Sequence, residues 1–336
     1  MRVIDINSPT GTTRLKNVSV IGLGCAAMLG RAGRRESLAA LGAAYDAGIT
    51  FFDAARSYGY GACEGLLGDF FAGERRNKVV LCTKFGILPG SPGGWKNRVK
   101  PLARAVLKVV PQLRSAVRKH ASDQLTPGQF SVELLRSSFE TSLRELKTDY
   151  VDILLMHNPP AGVVRREDML EELHRLVDSG KVRMAGVSAD GDVIRTVFAK
   201  HSPILQAAQF PMNPFSMDLA SQTSDAAKSL TLIANHPFGG AEGIARCRNL
   251  IDRLRMDPSV PHSLREKLNA RDEGLLPEFV LNSIIQDTGV TVVIPSMLRP
   301  AHLKSNIGAV ERCRFSPSEL QLIRKLFAVR GPSLTT

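Results

Sequence analysis

Cysteine is sparse in this 336-residue chain and is placed without structural pattern. Cys25, Cys63, Cys82, Cys247 and Cys313 are odd in number and form no CxxC pair, so neither a disulfide framework nor a zinc site is indicated. Reduced thiols are expected. The histidines His120, His174, His201, His236 and His262 show no HxxxH spacing, and no metal is expected. Long apolar runs are also missing: none approaches the roughly 18 residues of a membrane span. The segment Met1 to Arg14 is polar and carries Asp5, where a secretory signal would need an apolar stretch. A cytoplasmic protein with no integral membrane segment is expected. No Pro/Gly/Ser-rich linker or low-complexity tract divides the sequence, which favours one domain over residues 1–336.

Acidic residues are absent from one stretch. Between Ser91 and His120 stand Lys96, Arg98, Lys100, Arg104, Lys108, Arg114, Arg118 and Lys119 with no carboxylate, within a net charge of +12 from 44 Lys+Arg against 32 Asp+Glu. Such a run could be a solvated face, could attract an anionic substrate, or could touch anionic lipid or nucleic acid. No nucleic-acid-binding motif accompanies it, so nucleic acid is not an expected partner.

What is present is alternation. Short β-rich runs recur at Ser19–Gly22, Thr50–Ala54, Val79–Phe85, Val151–His157, Val182–Ser188, Ile204–Phe210, Leu230–Asn235 and Val290–Pro295. Helical patterns fill the gaps at Glu36–Ala47, Glu64–Phe71, Val132–Leu146, Met169–Ser179, Asp192–Lys200, Ser221–Ser229, Leu275–Gln286 and Pro300–Val310, with a ninth at Ser318–Ala328. Eight strands alternating with eight helices predict an α/β fold of the (β/α)8 TIM-barrel type. Met1–Lys16 is expected to form a hairpin across the bottom of that barrel. A long basic connection follows the third strand, far beyond the two to six residues common in α/β units.

In such a barrel the active site forms at the C-terminal ends of the strands. Asp53, Lys84, His157, Ser188, Gln209 and Asn235 end six successive runs, and Tyr58 follows Asp53 by five residues. Any one of them could be a satisfied polar terminus, but a carboxylate, an ammonium, an imidazole and a phenol converging on one mouth form a plausible proton-transfer centre. Gly22–Leu23–Gly24 is not a Rossmann phosphate loop, because Ala27 stands where GxGxxG needs its third glycine.

The segment Phe52–Asp53–Ala54–Ala55–Arg56–Ser57–Tyr58–Gly59 resembles the aldo-keto reductase signature. The resemblance continues through Glu64–Gly65–Leu66–Leu67–Gly68, Thr83–Lys84–Phe85–Gly86, Asp149 to His157, Gly180–Lys181–Val182–Arg183, Gly186–Val187–Ser188, Ile294–Pro295 and Asn306. It implies hydride transfer between NADP(H) and an aldehyde, ketone or sugar-like alcohol, with NAD(H) as the alternative cofactor and a small molecule, anionic if the basic run attracts it, as substrate. It further implies Tyr58 as general acid, Lys84 beside it to lower the phenol pKa, Asp53 paired to Lys84, and His157 bonding the substrate oxygen.

For the cofactor the resemblance implies backbone contact from Gly24–Cys25–Ala26, carboxamide contacts from Ser188 and Gln209, an adenosine-phosphate pocket at Ser296, Arg299 and His302, and an adenine contact from Asn306. Two positions depart from the family pattern. Ala189 replaces an Asn, and Asn235 stands where an aromatic ring usually stacks on the nicotinamide, with Phe238 a partial substitute. Arg299 is the expected partner of a 2′-phosphate, because guanidinium binds phosphate in bidentate fashion. Cys25 and Cys63 are read as small apolar packing rather than redox groups. Selectivity is expected from the long insertion, Pro211–Leu219, Pro237–Arg248 and the carboxyl tail. A cofactor-bound sensor or regulatory subunit on the same barrel is the alternative function.

Overall fold

A computed structural model describes residues 1–7, 14–89, 128–199, 202–217, 230–270, 272–286, 288–312 and 314–330. The basic run between Ser91 and His120 and the expected helix Ser221–Ser229 lie outside the described residues.

Ten strands are described: β1 Val3–Asn7, β2 Arg14–Ser19, β3 Leu23–Gly24, β4 Phe51–Asp53, β5 Val80–Phe85, β6 Val151–His157, β7 Val182–Ser188, β8 Leu205–Pro211, β9 Thr231–Asn235 and β10 Val290–Ile294. The last eight form one sheet in chain order, every neighbouring pair parallel. A parallel bridge from Ile21 to Val293 brings its two edges together into the expected barrel. The first barrel strand departs from its expected span: Ser19–Gly22 contributes the bridge, and the ladder itself starts at Leu23. A Cβ on Gly22 would stand 2.7 Å from the Phe51 ring, so the approach to β4 depends on the missing side chain. The hairpin is as expected: β1 and β2 pair antiparallel.

The described helices are α1 Arg34–Asp46, α2 Cys63–Phe71, α3 Val132–Leu146, α4 Glu167–Asp178, α5 Gly191–Ala199, α6 Gly240–Met256, α7 His262–Leu268, α8 Leu275–Ile285, α9 Pro300–Glu311 and α10 Pro317–Arg330. α3 shows why these patterns read as helices. The Ser131 hydroxyl accepts from the Leu134 N–H at 3.1 Å as an N-cap. Leu135, Ser138, Phe139, Ser142, Leu143 and Leu146 then form its buried stripe, while Lys147 ends it in the left-handed region at φ 53°. Most of Pro237–Arg248, a segment expected to set selectivity, is helix and belongs to α6.

Two apolar layers result. Between strands and helices lies the larger core, including Phe52, Leu81, Leu154, Val187 and Phe210. Inside the barrel lies a second, made of Phe51, Val80, Cys82, Ile153, Leu155, Met184, Ala207, Ile233, Val292 and Ile294, with Ile6, Leu15 and Val18 of the hairpin packed into it. Side chains alternate faces along a strand, so the residues two positions beyond the inner set also point inward. They are Asp53 after Phe51, Lys84 after Cys82, His157 after Leu155, Gln209 after Ala207 and Asn235 after Ile233. Ser188 follows Met184 by four through Gly186, where a Cβ would stand 2.1 Å from the Ala207 carbonyl oxygen.

Candidate active site

Strand register sets the polar ends side by side. Asp53 pairs with Gly24 on one side and Cys82 on the other, His157 with Ser188, and Ser188 with Gln209. Across them runs a chain of hydrogen bonds. The Ser188 hydroxyl donates to Gln209 Oε1 at 2.6 Å, and Gln209 Nε2 donates to Asp53 Oδ1 at 2.8 Å. Lys84 Nζ donates to the same Asp53 oxygen at 2.6 Å, to the Ala54 carbonyl at 2.8 Å and to the Tyr58 hydroxyl at 3.3 Å. These three bonds use all three ammonium donors. Because the Tyr58 oxygen accepts from Lys84, its own proton is free to point elsewhere.

Burial decides the charge states. Lys84 is 1% exposed; burial alone would push its ammonium down, but the Asp53 carboxylate, helped by Tyr58 and Cys82, outweighs it and raises the pKa. Tyr58 corrects an expectation. Lys84 does pull the phenol pKa down as expected, but burial is larger, and the net result is a phenol pushed up to about 12. His157 is pushed down to about 3, by burial first and the Lys84 charge second, so its imidazole is neutral at pH 7. The rings of Tyr58 and His157 meet edge to face at 6.0 Å and 85°. Buried His157 Nδ1 has no hydrogen-bond partner among the described residues. A buried orphan of this kind costs about 1–3 kcal/mol and calls for an explanation in the chemistry around it.

The turn that carries Tyr58 is held from behind. Glu64, fully buried on the first turn of α2, accepts from the Thr83 hydroxyl at 2.6 Å and pairs with Arg56 Nη1. Glu64 belongs to a motif noticed in the sequence, yet its partnership with Arg56 and Thr83 needed three dimensions. Cys25 and Cys63 are both buried. The Cys25 thiol is pushed up by its hydrogen bond with Cys63 and by burial, the state of an inert thiol.

Of the positions implied for a cofactor, Gly24, Cys25 and Ala26 lie against β4, with the Cys25 N–H donating to the Asp53 carbonyl at 2.9 Å. Ser188 and Gln209 sit buried at the centre. The bonds above use one hydrogen of the Gln209 amide nitrogen and one lone pair of its oxygen, so one donor and one acceptor remain. Asn235 is half-buried and bonds neighbouring His236 Nδ1 at 2.9 Å, while Phe238 packs against the outer core. Ser296, Arg299 and His302 are exposed, and Asn306 is buried. A cavity of about 610 Å³ lies beside them, lined by His302 and Ser305 of α9, by Arg248, Asp252 and Arg255 of α6 and by Asp272 and Glu273, and without Arg299. Arg248 is not among the cofactor positions implied by the sequence; the spacing Cys247, Leu250, Ile251, Leu254, buried along α6, is the signal that places it on a helix.

A family model described as the aldo/keto reductase family matches residues 20–328. Over 87% of this chain and 81% of its own length, a soybean (Glycine max) protein named probable aldo-keto reductase 1 is 27% identical. Among solved structures, the holo form of aldo-keto reductase AKR11C1 from Bacillus halodurans superposes with a TM-score of 0.68 at 20% identity, covering 97% of this chain and 96% of that one. An aldo/keto reductase from Klebsiella pneumoniae in complex with NADP and acetate gives 0.63 at 22% identity, covering 99% and 97%. These structural likenesses establish the fold.

Proposed function

This chain belongs to the aldo/keto reductase family, and from that premise we propose that it is an NADP(H)-dependent oxidoreductase that reduces a small aldehyde or ketone, with Tyr58 as the proton donor. The observation that carries the reading is the Lys84 ammonium, bonded at once to Asp53 at 2.6 Å and to the Tyr58 hydroxyl at 3.3 Å. NADPH, when bound, supplies the hydride. The complex of the Klebsiella relative with NADP favours that cofactor, as does the exposed Arg299. The free donor and acceptor on Gln209 suit a carboxamide, and Ser188 keeps that amide oriented.

In the reduction the Tyr58 hydroxyl gives its proton to the carbonyl oxygen as carbon gains the hydride, so C=O becomes CH–OH. The phenolate left behind faces the Lys84 ammonium, whose charge Asp53 maintains. Stabilising that phenolate where it forms lowers the barrier more than it lowers the ground state. Neutral His157 bonds the substrate oxygen and turns it toward Tyr58. A phenol with a pKa near 12 is protonated throughout the neutral range, which suits an acid. In the reverse direction Tyr58 must act as a base, so alcohol oxidation accelerates toward alkaline pH.

Substituting Tyr58→Phe tests the assignment: turnover of an aromatic aldehyde such as 4-nitrobenzaldehyde, or of the best carbonyl in a panel, falls by about 10²–10⁴-fold. NADPH affinity from fluorescence titration stays within about twofold, because the ring remains. Wild-type protein that binds NADPH and turns over nothing in the panel would favour the cofactor-bound sensor instead.

A further inference from the structure

The buried carboxylate behind the Tyr58 turn touches no expected reactant, yet it reaches the neighbours of both groups that must meet. Thr83 precedes Lys84 on β5 and points outward, where its hydroxyl donates to Glu64 at 2.6 Å. Arg56 stands two residues before Tyr58, and its guanidinium pairs with the other Glu64 oxygen. The backbone repeats the link, since the Arg56 N–H donates to the Lys84 carbonyl at 3.4 Å. We propose that Glu64 is a positioning residue whose carboxylate, by holding Arg56 and Thr83 together, fixes the separation between the Tyr58 hydroxyl and the Lys84 ammonium. This inference rests on the reading of Tyr58 as the proton donor.

Two features argue that the clamp serves geometry rather than bulk stability. A buried ion pair is often no more stabilising than well-packed apolar residues of similar volume, and this one leaves Arg56 Nε buried with no partner among the described residues. The turn it holds is also strained. Gly59 and Tyr60 both adopt left-handed backbone at φ 59°, and a Cβ on Gly59 would stand 2.9 Å from the Met28 carbonyl oxygen. A non-glycine residue in that region persists only where its surroundings over-determine it. Glu64 holds the turn at Arg56, three residues before Gly59, and Met28 and Leu29 lie against Gly59 itself.

The test reads the phenol directly. The chain has four tyrosines, so tyrosine labelled with carbon-13 at Cζ gives few resonances, and Tyr58→Phe identifies that of Tyr58. Lys84→Met calibrates the shift caused by losing the ammonium contact. Glu64→Gln keeps an oxygen for Thr83 but turns an amide N–H toward Arg56; Thr83→Val removes only the other arm and keeps the shape, so one variant folds if the other does not. Each should move the Tyr58 resonance toward its position in Lys84→Met. Each should also slow single-turnover reduction by about 10²-fold, the cost of a displacement near 1 Å, with the NADPH dissociation constant unchanged. Asp152→Asn, at the opposite end of the barrel, should leave the Tyr58 resonance in place. Folded Glu64 and Thr83 variants with a wild-type resonance, beside a shifted Lys84→Met, overturn the clamp and leave Tyr58 as donor. Full activity in Tyr58→Phe overturns both.

Discussion

The barrel carries a buried carboxylate–cation cluster at each end, and the two are built to different specifications. At the bottom, Asp152 accepts from Arg76 at 2.9 Å, Arg183 at 2.9 Å and the Leu81 N–H at 2.9 Å. Arg76 spends three further donors on Thr148, Val79 and Tyr150. The Tyr150 ring lies against both guanidinium groups, at 4.0 and 4.3 Å. At the top, Lys84 and Asp53 are equally buried, but a phenol proton, the free half of the Gln209 amide and His157 Nδ1 are left to meet something else. Burial is common to both clusters, so burial alone does not mark the reactive end. What differs is how much hydrogen-bonding capacity the groups around each cluster leave over.

The sharpest way to break the comparison is to remove one charge from each end. Lys84→Met should cost the most, because it strands Asp53 and removes the charge that faces the phenolate: hydride-transfer rates should fall by about 10²–10³-fold and lose their Tyr58-linked pH dependence. Asp152→Asn should lower the unfolding free energy by about 3 kcal/mol, the loss expected when a buried pair is broken, while kcat/KM stays within about twofold. Equal losses of turnover in both variants would mean that the ends are not independent.

The ends also separate by pH. The folded-state pKa of His157 lies far below its ordinary value, so the unfolded chain binds a proton more readily than the folded one. Stability is therefore present above the ordinary histidine value near 6.5 and is lost progressively as pH falls toward 3. His157→Gln should flatten that part of a denaturation-versus-pH curve, whereas an unchanged slope would place the titration elsewhere. The smallest effect concerns the rim. Arg299→Ala should narrow a preference for NADPH over NADH by about tenfold, or about 1.4 kcal/mol. Dissociation constants for both cofactors check it, and a change only in Arg248→Ala would move the phosphate contact to the cavity wall on α6.

Much of this was legible because strands repeat every two residues. Once Phe51, Cys82, Leu155, Ala207 and Ile233 were read as apolar runs, the polar residues ending them had to point into the same space. Thus Asp53, Lys84, His157 and Gln209 were found from position and chemistry together. The state of Tyr58 was not legible, since its sequence neighbours indicate a nearby ammonium but not how deeply the ring is buried, and burial wins. The linkage from Gln209 to Asp53 joins residues 156 positions apart, and no local pattern encodes it. α6 escaped notice because Gly239 and Gly240, both at positive φ, read as loop residues immediately before its helical spacing begins.

The closure between β3 and β10 has a mechanical consequence. Six registered pairs join β6 to β7, whereas the edges meet through Gly22 to Val293, Val293 to Val20 and Gly24 to Pro295, at 2.8, 3.0 and 3.2 Å. β3 is also joined to β4 by only two registered pairs, so the sheet behaves as a belt lightest around its buckle, and amide hydrogens at Gly22 and Val293 should exchange with solvent ahead of those in β6. Gly24 and Cys25 sit on that buckle. A ligand that rests on their backbone fastens it, and at one hundred times its dissociation constant it adds about 2.7 kcal/mol of apparent stability. Heat resistance of the barrel would then follow the supply of its redox partner.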